Sequence, residues 1–242
     1  MNLPDLRAQM EAEFSWRQDE IRFLHNRLAD LADLSQQDRY RRALVLMLYA
    51  HFEGFCKFCL SLYVNTVNGE GITCGQANYA IAAAALSNVF RDLRDPSKKC
   101  DEFRRALPDD TKIHRFARDR EFLERTDDFG QKPVTIPDLL VDTESNLTPV
   151  VLRKNLYRLG FSSNQFDQFE GNINRLLMTR NRIAHGESSS GVDAKTYTDL
   201  HTIVFEIMAE VTMQVTQALN GRLYLRAPVA DPGNVPTLSP TI

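Results

Sequence analysis

The sequence predicts an all-α fold, a helical bundle carrying a helical and loop insertion, and three observations support that expectation. Apolar residues recur at helical spacing over long segments, most clearly Leu200, Ile203, Val204, Ile207, Met208, Val211, Val215 and Leu219. Capping residues bound such segments, with Asp193 before this one and Asn220-Gly221 after it. No stretch reads convincingly as a strand, and no internal repeat is present.

In chain order, residues 5–33 read as a helix, with Leu6, Met10, Phe14, Ile21, Leu24 and Leu28 among many charges. Asp38 or Ser35 caps a second helix that runs to about Asn65. Its centre, Ala43 to Tyr63, is apolar nearly all round, as expected of a central bundle helix buried on most sides. Residues 66–75 read as loop, 76–94 as one Ala-rich helix, and 91–125 as a charged stretch with helical patterns at 98–106 and 111–126. Residues 127–146, with Gly130, Pro133 and Pro137, read as loop, so 66–146 is the expected insertion. Thr148-Pro149 opens a helix to about Leu159, with proline at its first position. A further helix spans Ser163 to His185, and the last follows Asp193. Residues 1–226 thus read as a single domain, and 227–242, with four prolines, as a disordered tail.

Composition narrows the function classes. The 242 residues are 43% hydrophobic, enough for a core, and carry a formal charge of −3, so no global basic field gathers nucleic acid. No stretch is read as a membrane span, and the N-terminus does not read as a signal peptide. Four cysteines (Cys56, Cys59, Cys74, Cys100) fit a reducing cytosol, and the expected location is cytoplasmic. No Cys or His set completes a zinc site, the acidic segments show no metal-ligand spacing, and no Gly-rich phosphate loop is present. Neither a metal nor a cofactor is expected.

One stretch stands out: Asn174-Arg-Leu-Leu-Met-Thr-Arg180-Asn181-Arg182-Ile-Ala-His185-Gly186. Phe166, Phe169, Ile173, Leu176, Leu177 and Ala184 form an apolar stripe, and Arg180 falls on it. An arginine there needs a partner, a subunit interface or a ligand. Gly186 then stops the helix, leaving His185 at its end.

Arg180-Asn181-Arg182-Ile183-Ala184-His185 has the form Arg-x4-His with a polar residue directly after the arginine. In this the chain resembles the HEPN superfamily, small helical bundles of which many are metal-independent ribonucleases of toxin–antitoxin, phage-defence and CRISPR-associated systems. The stretch Leu48-Tyr-Ala-His-Phe-Glu-Gly-Phe-Cys-Lys is similar to the central helix of a bacterial HEPN branch. The resemblance covers the central helix and the last two helices, but not residues 66–146. It implies a homodimer with RNA as substrate, an antitoxin or defence-system partner, and no membrane. It assigns Arg180, His185 and Asn181 as catalytic, with Arg182 and Glu53 beside the substrate. In family members silenced by nucleotide transfer, a tyrosine stands two places after the motif histidine; here that residue is Glu187, which puts that mode of silencing in doubt.

These groups suit RNA cleavage. RNA carries its own nucleophile, the 2′-OH, so the protein needs a base, an acid and positive charge on the phosphorane. Histidine transfers protons near neutral pH, and arginine holds two phosphate oxygens at once. The alternative is a non-catalytic HEPN-type module binding a nucleotide, RNA or protein, in which Arg180 and His185 cap a helix and bridge to Glu53. Glu53 itself reads equally as a buried charge partner or as an active-site neighbour. His51 lies on an apolar face and reads as a core histidine. Cys56 and Cys59 have redox spacing but sit mid-helix in apolar surroundings, where packing is the expected use. His114, Arg115, Arg118 and Arg120 read as a solvated helix face that could guide RNA.

Overall fold

The computed structural model describes residues 2–187 and 189–227. Among them the chain forms α1 (Leu3–Asn26), α2 (Leu34–Gly69), α3 (Tyr79–Ala85), α4 (Ser87–Arg94), α5 (Thr111–Glu124), α6 (Thr126–Phe129), α7 (Pro149–Arg158), α8 (Glu170–Ala184) and α9 (Ala194–Asn220). Strand-like pairing among the described residues is limited to two isolated bridges, Thr73 with Pro133 and Ala77 with Leu225. The all-α class predicted from helical periodicity is therefore the observed one.

The 36-residue α2 is the axis of the molecule, packing on α9, α1 and α8. Its start differs from expectation. Asp33 is the cap, its carboxylate accepting from the Ser35 amide at 3.1 Å, and the helix continues to Gly69, four residues past Asn65. Such a cap contributes ~1 kcal/mol. By length and composition α2 is apolar enough to cross a membrane, which corrects the expectation that no stretch approaches one. More than half of its most apolar window is buried against the rest of the chain, as in a core helix. Leu44, Leu48, Phe52, Phe55, Cys56, Cys59 and Tyr63 are all at most 2% exposed and form one core with residues of α1, α7, α8 and α9.

The remaining departures fall where local bonding overrides periodicity. The Ala-rich segment is two helices, because Leu86 leaves helical geometry (φ −89°, ψ 11°) and packs on the core. The turn lets α3 pack on α7 and α4 on α5. Residues 98–100 are irregular and 101–106 are turns. Here His114 Nδ1 accepts from the Cys100 amide (3.1 Å), while Arg118 donates to the carbonyls of Leu93 and Lys98, so side chains take backbone groups a helix would use. Helix α8 begins at Glu170, not Ser163; Phe166 and Phe169 reach the core from turns and a 3-10 segment (Asp167–Phe169), where a spacing of three also puts side chains on one side. Residues 72–86 and 134–147 feed the same core, through Cys74, Ala77, Ile81, Val134, Ile136 and Val141 among others, while Phe90, Phe122 and Phe129 contact one another under α4, α5 and α6. The expected disordered tail lies, but for Ala227, outside the described residues.

Candidate functional site

The distinctive stretch ends α8 in a Schellman motif. The Glu187 amide donates to the Arg182 carbonyl (3.0 Å) and the Gly186 amide to the Ile183 carbonyl (3.2 Å). This closure needs a left-handed residue, and Gly186 supplies it at φ +68°. His185, the cap residue, is exposed, with no side-chain hydrogen bond among the described residues.

Arg180 lies one turn before that end and is only partly exposed. Its Nη1 donates to Asn146 Oδ1 and to Asn181 Oδ1, both at 2.8 Å, and its guanidinium sits 4.6 Å from the centre of the Tyr49 ring. Asn146 belongs to a loop shaped for this contact. Glu144 and Ser145 take left-handed conformations (φ 50° and 67°), and buried Asn155 clamps the loop's start through the Asp142 amide and carbonyl. Thr148 then caps α7, accepting from the Val151 amide. The loop is tied to α2 as well, because the Leu147 amide donates to the Tyr49 hydroxyl at 2.8 Å. Burial pushes the Tyr49 hydroxyl up; the Leu147 amide opposes this and a hydrogen bond to Glu53 adds to it.

The charge of Arg180 is therefore held by neutral amide oxygens and an aromatic face. No carboxylate forms an ion pair with it among the described residues, so its positive charge is not cancelled there. The bridge from Arg180 to Glu53 considered from sequence is not formed: Glu53 reaches the arginine only through Tyr49. Asn181 touches Arg180, while Arg182 points into solvent on the same helix end. Sequence reasoning missed Asn146 and Tyr49. Tyr49 stood inside the quoted central-helix stretch, but only the fold brings residue 146 to residue 180.

The other sequence candidates take structural places. Buried His51 sits between α1 and α2, with Nε2 2.9 Å from a Glu20 carboxylate oxygen and the Trp16 ring edge-on at 5.3 Å. Cys56 and Cys59 are buried and free, and burial pushes the Cys59 thiol up to about 12 and that of Cys56 well above its ordinary value, which suits packing over redox exchange. His114 is a buried staple, Nε2 lying 2.9 Å from the Leu107 carbonyl, and Arg118 is a second one, so neither belongs to a solvated RNA-guiding face. Arg115 and Arg120 are exposed and pair along α5 with Asp119 and Glu124. Among the described residues no three His, Cys, Asp or Glu side chains gather as a metal site would require.

A family model described as MAE_28990-like HEPN matches residues 6–224. No curated protein and no solved structure matches the chain. The match runs from α1 through the stretch after α9, and so takes in residues 66–146, for which sequence reading alone found no counterpart. With its helical architecture and an Arg-x4-His stretch closing α8, this chain belongs to the HEPN superfamily, within the MAE_28990-like HEPN family.

Proposed function

We propose that the protein is a metal-independent endoribonuclease in which Arg180 and His185 act on the scissile phosphate. The observation that carries this reading is the uncancelled guanidinium of Arg180, one turn from an exposed histidine on a rigid helix cap. Arg180 spends one nitrogen on the two asparagines, which leaves Nη2 and Nε to donate to phosphate oxygens. A preorganised donor of this kind is worth ~3–4 kcal/mol in the transition state.

The chemistry balances with RNA's own groups. A base removes the 2′-hydroxyl proton, and the 2′-oxygen attacks phosphorus. The bond to the 5′-oxygen breaks, and that oxygen takes a proton from an acid. The products are a 2′,3′-cyclic phosphate and a 5′-hydroxyl. His185 supplies one proton transfer; paired copies of the chain would bring a second His185 for the other. Asn181 and Asn146 position the arginine, Arg182 contacts flanking phosphate, and Glu53 acts through Tyr49. A role in defence or as a toxin, with a protein that restrains it, is part of the same proposal, as is a cytoplasmic location.

The test is cleavage of single-stranded RNA in EDTA. Cutting should persist there, spare DNA, fail at a 2′-O-methyl sugar, and weaken as salt rises. A requirement for Mg²⁺ or cutting at 2′-deoxy sugars would remove this mechanism. One observation favours a second reading, a non-catalytic binding module: Arg180 also fastens the 142–148 loop to α8 and α2. If Arg180→Ala unfolds the protein and no RNA is cut, that reading replaces the first.

A further inference from the structure

One concavity shares none of its lining with the motif. It is an open groove of about 890 Å³ between α3, α4, the end of α7 and the 137–140 segment. Phe161 forms part of its floor, and two tyrosines stand on its walls, Tyr79 at 75% and Tyr157 at 72% exposure. Neither hydroxyl makes a hydrogen bond among the described residues. Two large aromatic side chains exposed along one groove mark a surface suited to binding.

The charges in its lining have one sign, although Asp95 stands in an adjoining cleft that shares Ser87 and Arg91. Arg91 and Arg158 line the groove and no acidic residue does. Arg226 lies over the Tyr79 ring at 4.5 Å. It is put there by a strap after α9, in which the Arg226 amide donates to Gln76 and the Asn78 amide to Tyr224. Arg158 has no ion pair among the described residues. Arg91 meets only its neighbour Asp92, at 3.8 Å, and that carboxylate is held closer by Lys98, at 2.7 Å. The nearby Asp138 lines a different cleft, beside Ser61 and Asn65. In a chain whose formal charge is −3, this is a local concentration of arginine among exposed aromatic side chains. Stacking faces interleaved with guanidinium groups fit unpaired bases on a phosphate backbone.

Helix α7 joins this groove to the motif. Its N-terminal side carries Asn146, bonded to Arg180, and its last residue is Arg158. Ten residues of helix span about 15 Å, a distance that a few nucleotides of one strand cover.

We propose that the groove holds a single-stranded nucleic acid, the flank of the RNA whose scissile phosphate lies at Arg180 and His185, with bases stacked on Tyr79 and Tyr157 and phosphates on Arg91, Arg158 and Arg226. This rests on the ribonuclease reading for the identity of the strand, and the test separates the two. Binding is measured by fluorescence anisotropy with a labelled 2′-O-methyl RNA of roughly 12 nucleotides, with the same sequence as single-stranded DNA, and with a duplex. Tyr79→Ala with Tyr157→Ala should weaken both single-strand probes at least about tenfold, while Tyr79→Phe with Tyr157→Phe stays within about twofold. The duplex, whose bases are already stacked, should bind the unaltered protein more weakly. Arg91→Gln with Arg158→Gln should weaken binding and flatten its salt dependence, and serves if the alanine pair misfolds by circular dichroism. Cleavage of a dinucleotide, too short to reach the groove, should be unchanged in all these variants. Groove-dependent binding without any cleavage would leave the groove standing and remove the ribonuclease. Cleavage of long RNA that ignores the groove variants, with binding also unchanged, would do the reverse. Equal binding of duplex and single strand, or loss of self-association in the alanine pair, would overturn the proposal in favour of a duplex or a second copy.

Discussion

Two arginines in this molecule are drawn out of water against an aromatic ring, and they are treated in opposite ways. Arg17 of α1 lies 4.3 Å from the Trp16 ring centre and donates to both the carboxylate and the main-chain carbonyl of Glu13. Although burial of the carboxyl opposes it, hydrogen bonds from Arg17 and Trp16 hold Glu13 below its ordinary value. Gly54 of α2 faces this guanidinium; a Cβ there would meet it at 3.6 Å, in ordinary contact. Arg180 has a similar ring contact and is less deeply buried, yet its acceptors are two amides. A carboxylate neutralises a guanidinium and finishes its work within the fold. Neutral oxygens aim it and leave its charge for something else. The difference separates an arginine that holds α1 to α2 from one whose charge the proposed function leaves for a phosphate.

The largest expected effects break the comparison at its functional side. Arg180→Ala and His185→Ala should each lower RNA cleavage by about a thousandfold, in line with losing one preorganised donor or one proton-transfer group. Helical content should be unchanged, as read by circular dichroism beside a gel-based cleavage assay. Next comes Arg17→Ala, which strands Glu13 and opens the α1–α2 interface. It should cost on the order of 3 kcal/mol in urea unfolding, with cleavage per folded molecule retained. An inactive but fully stable Arg17→Ala protein would erase the distinction.

A smaller effect tests the cause directly. Asn146→Asp would give Arg180 the carboxylate that Arg17 has. Stability should hold or rise slightly, while cleavage falls by about tenfold as the guanidinium is diverted from phosphate. Asn146→Ala should cut activity by loosening Arg180 without neutralising it, and the affinity for RNA should fall less than in the aspartate variant. If the aspartate variant is as active as the unaltered protein, charge availability at Arg180 is not what the site uses.

How far these two places were legible in the sequence follows from the range of the interactions involved. The caps at Thr148, Asp193 and Gly186 are local signals, and each is where it was expected, because a cap is decided within four residues. Arg180 could be flagged because one helix face was enough to make it anomalous. Asn146 could not, since its partner is 34 residues away and the turn joining them rests on left-handed residues that are not glycine. The segment 98–106 was misread for the same reason: His114 and Arg118 look like a charged helix surface until the fold shows them bonded to main-chain groups. Arg17 gave no signal at all. Its neighbour Glu13 is one turn away, but the aromatic and glycine surfaces that bury it come from both α1 and α2.

The smallest predicted effect uses pH to separate the two regions by stability alone. His51 sits beside Arg17, facing Glu20, Arg17 and the Trp16 ring, and burial holds its imidazole below the ordinary histidine value, with Arg17 adding to that and Glu20 opposing it. His201 of α9 is likewise depressed by burial, with His25 adding to it. A histidine depressed in the folded state takes up its proton more readily in the unfolded chain. Above an unfolded value of about 6.5 both states are neutral there and stability is full. As pH falls from that value toward the folded one, the unfolded state binds more protons and stability drops. The melting temperature should therefore be flat between about pH 7 and pH 8, below the range in which the buried thiols matter, and decline through pH 6 and below. His51→Gln should make the decline shallower, with His201 accounting for part of what remains. A decline that survives in a His51→Gln, His201→Gln double variant would assign the acid sensitivity to carboxylates such as Glu13. The Arg17 region would then be strained by loss of its ion pair rather than by gain of an imidazolium.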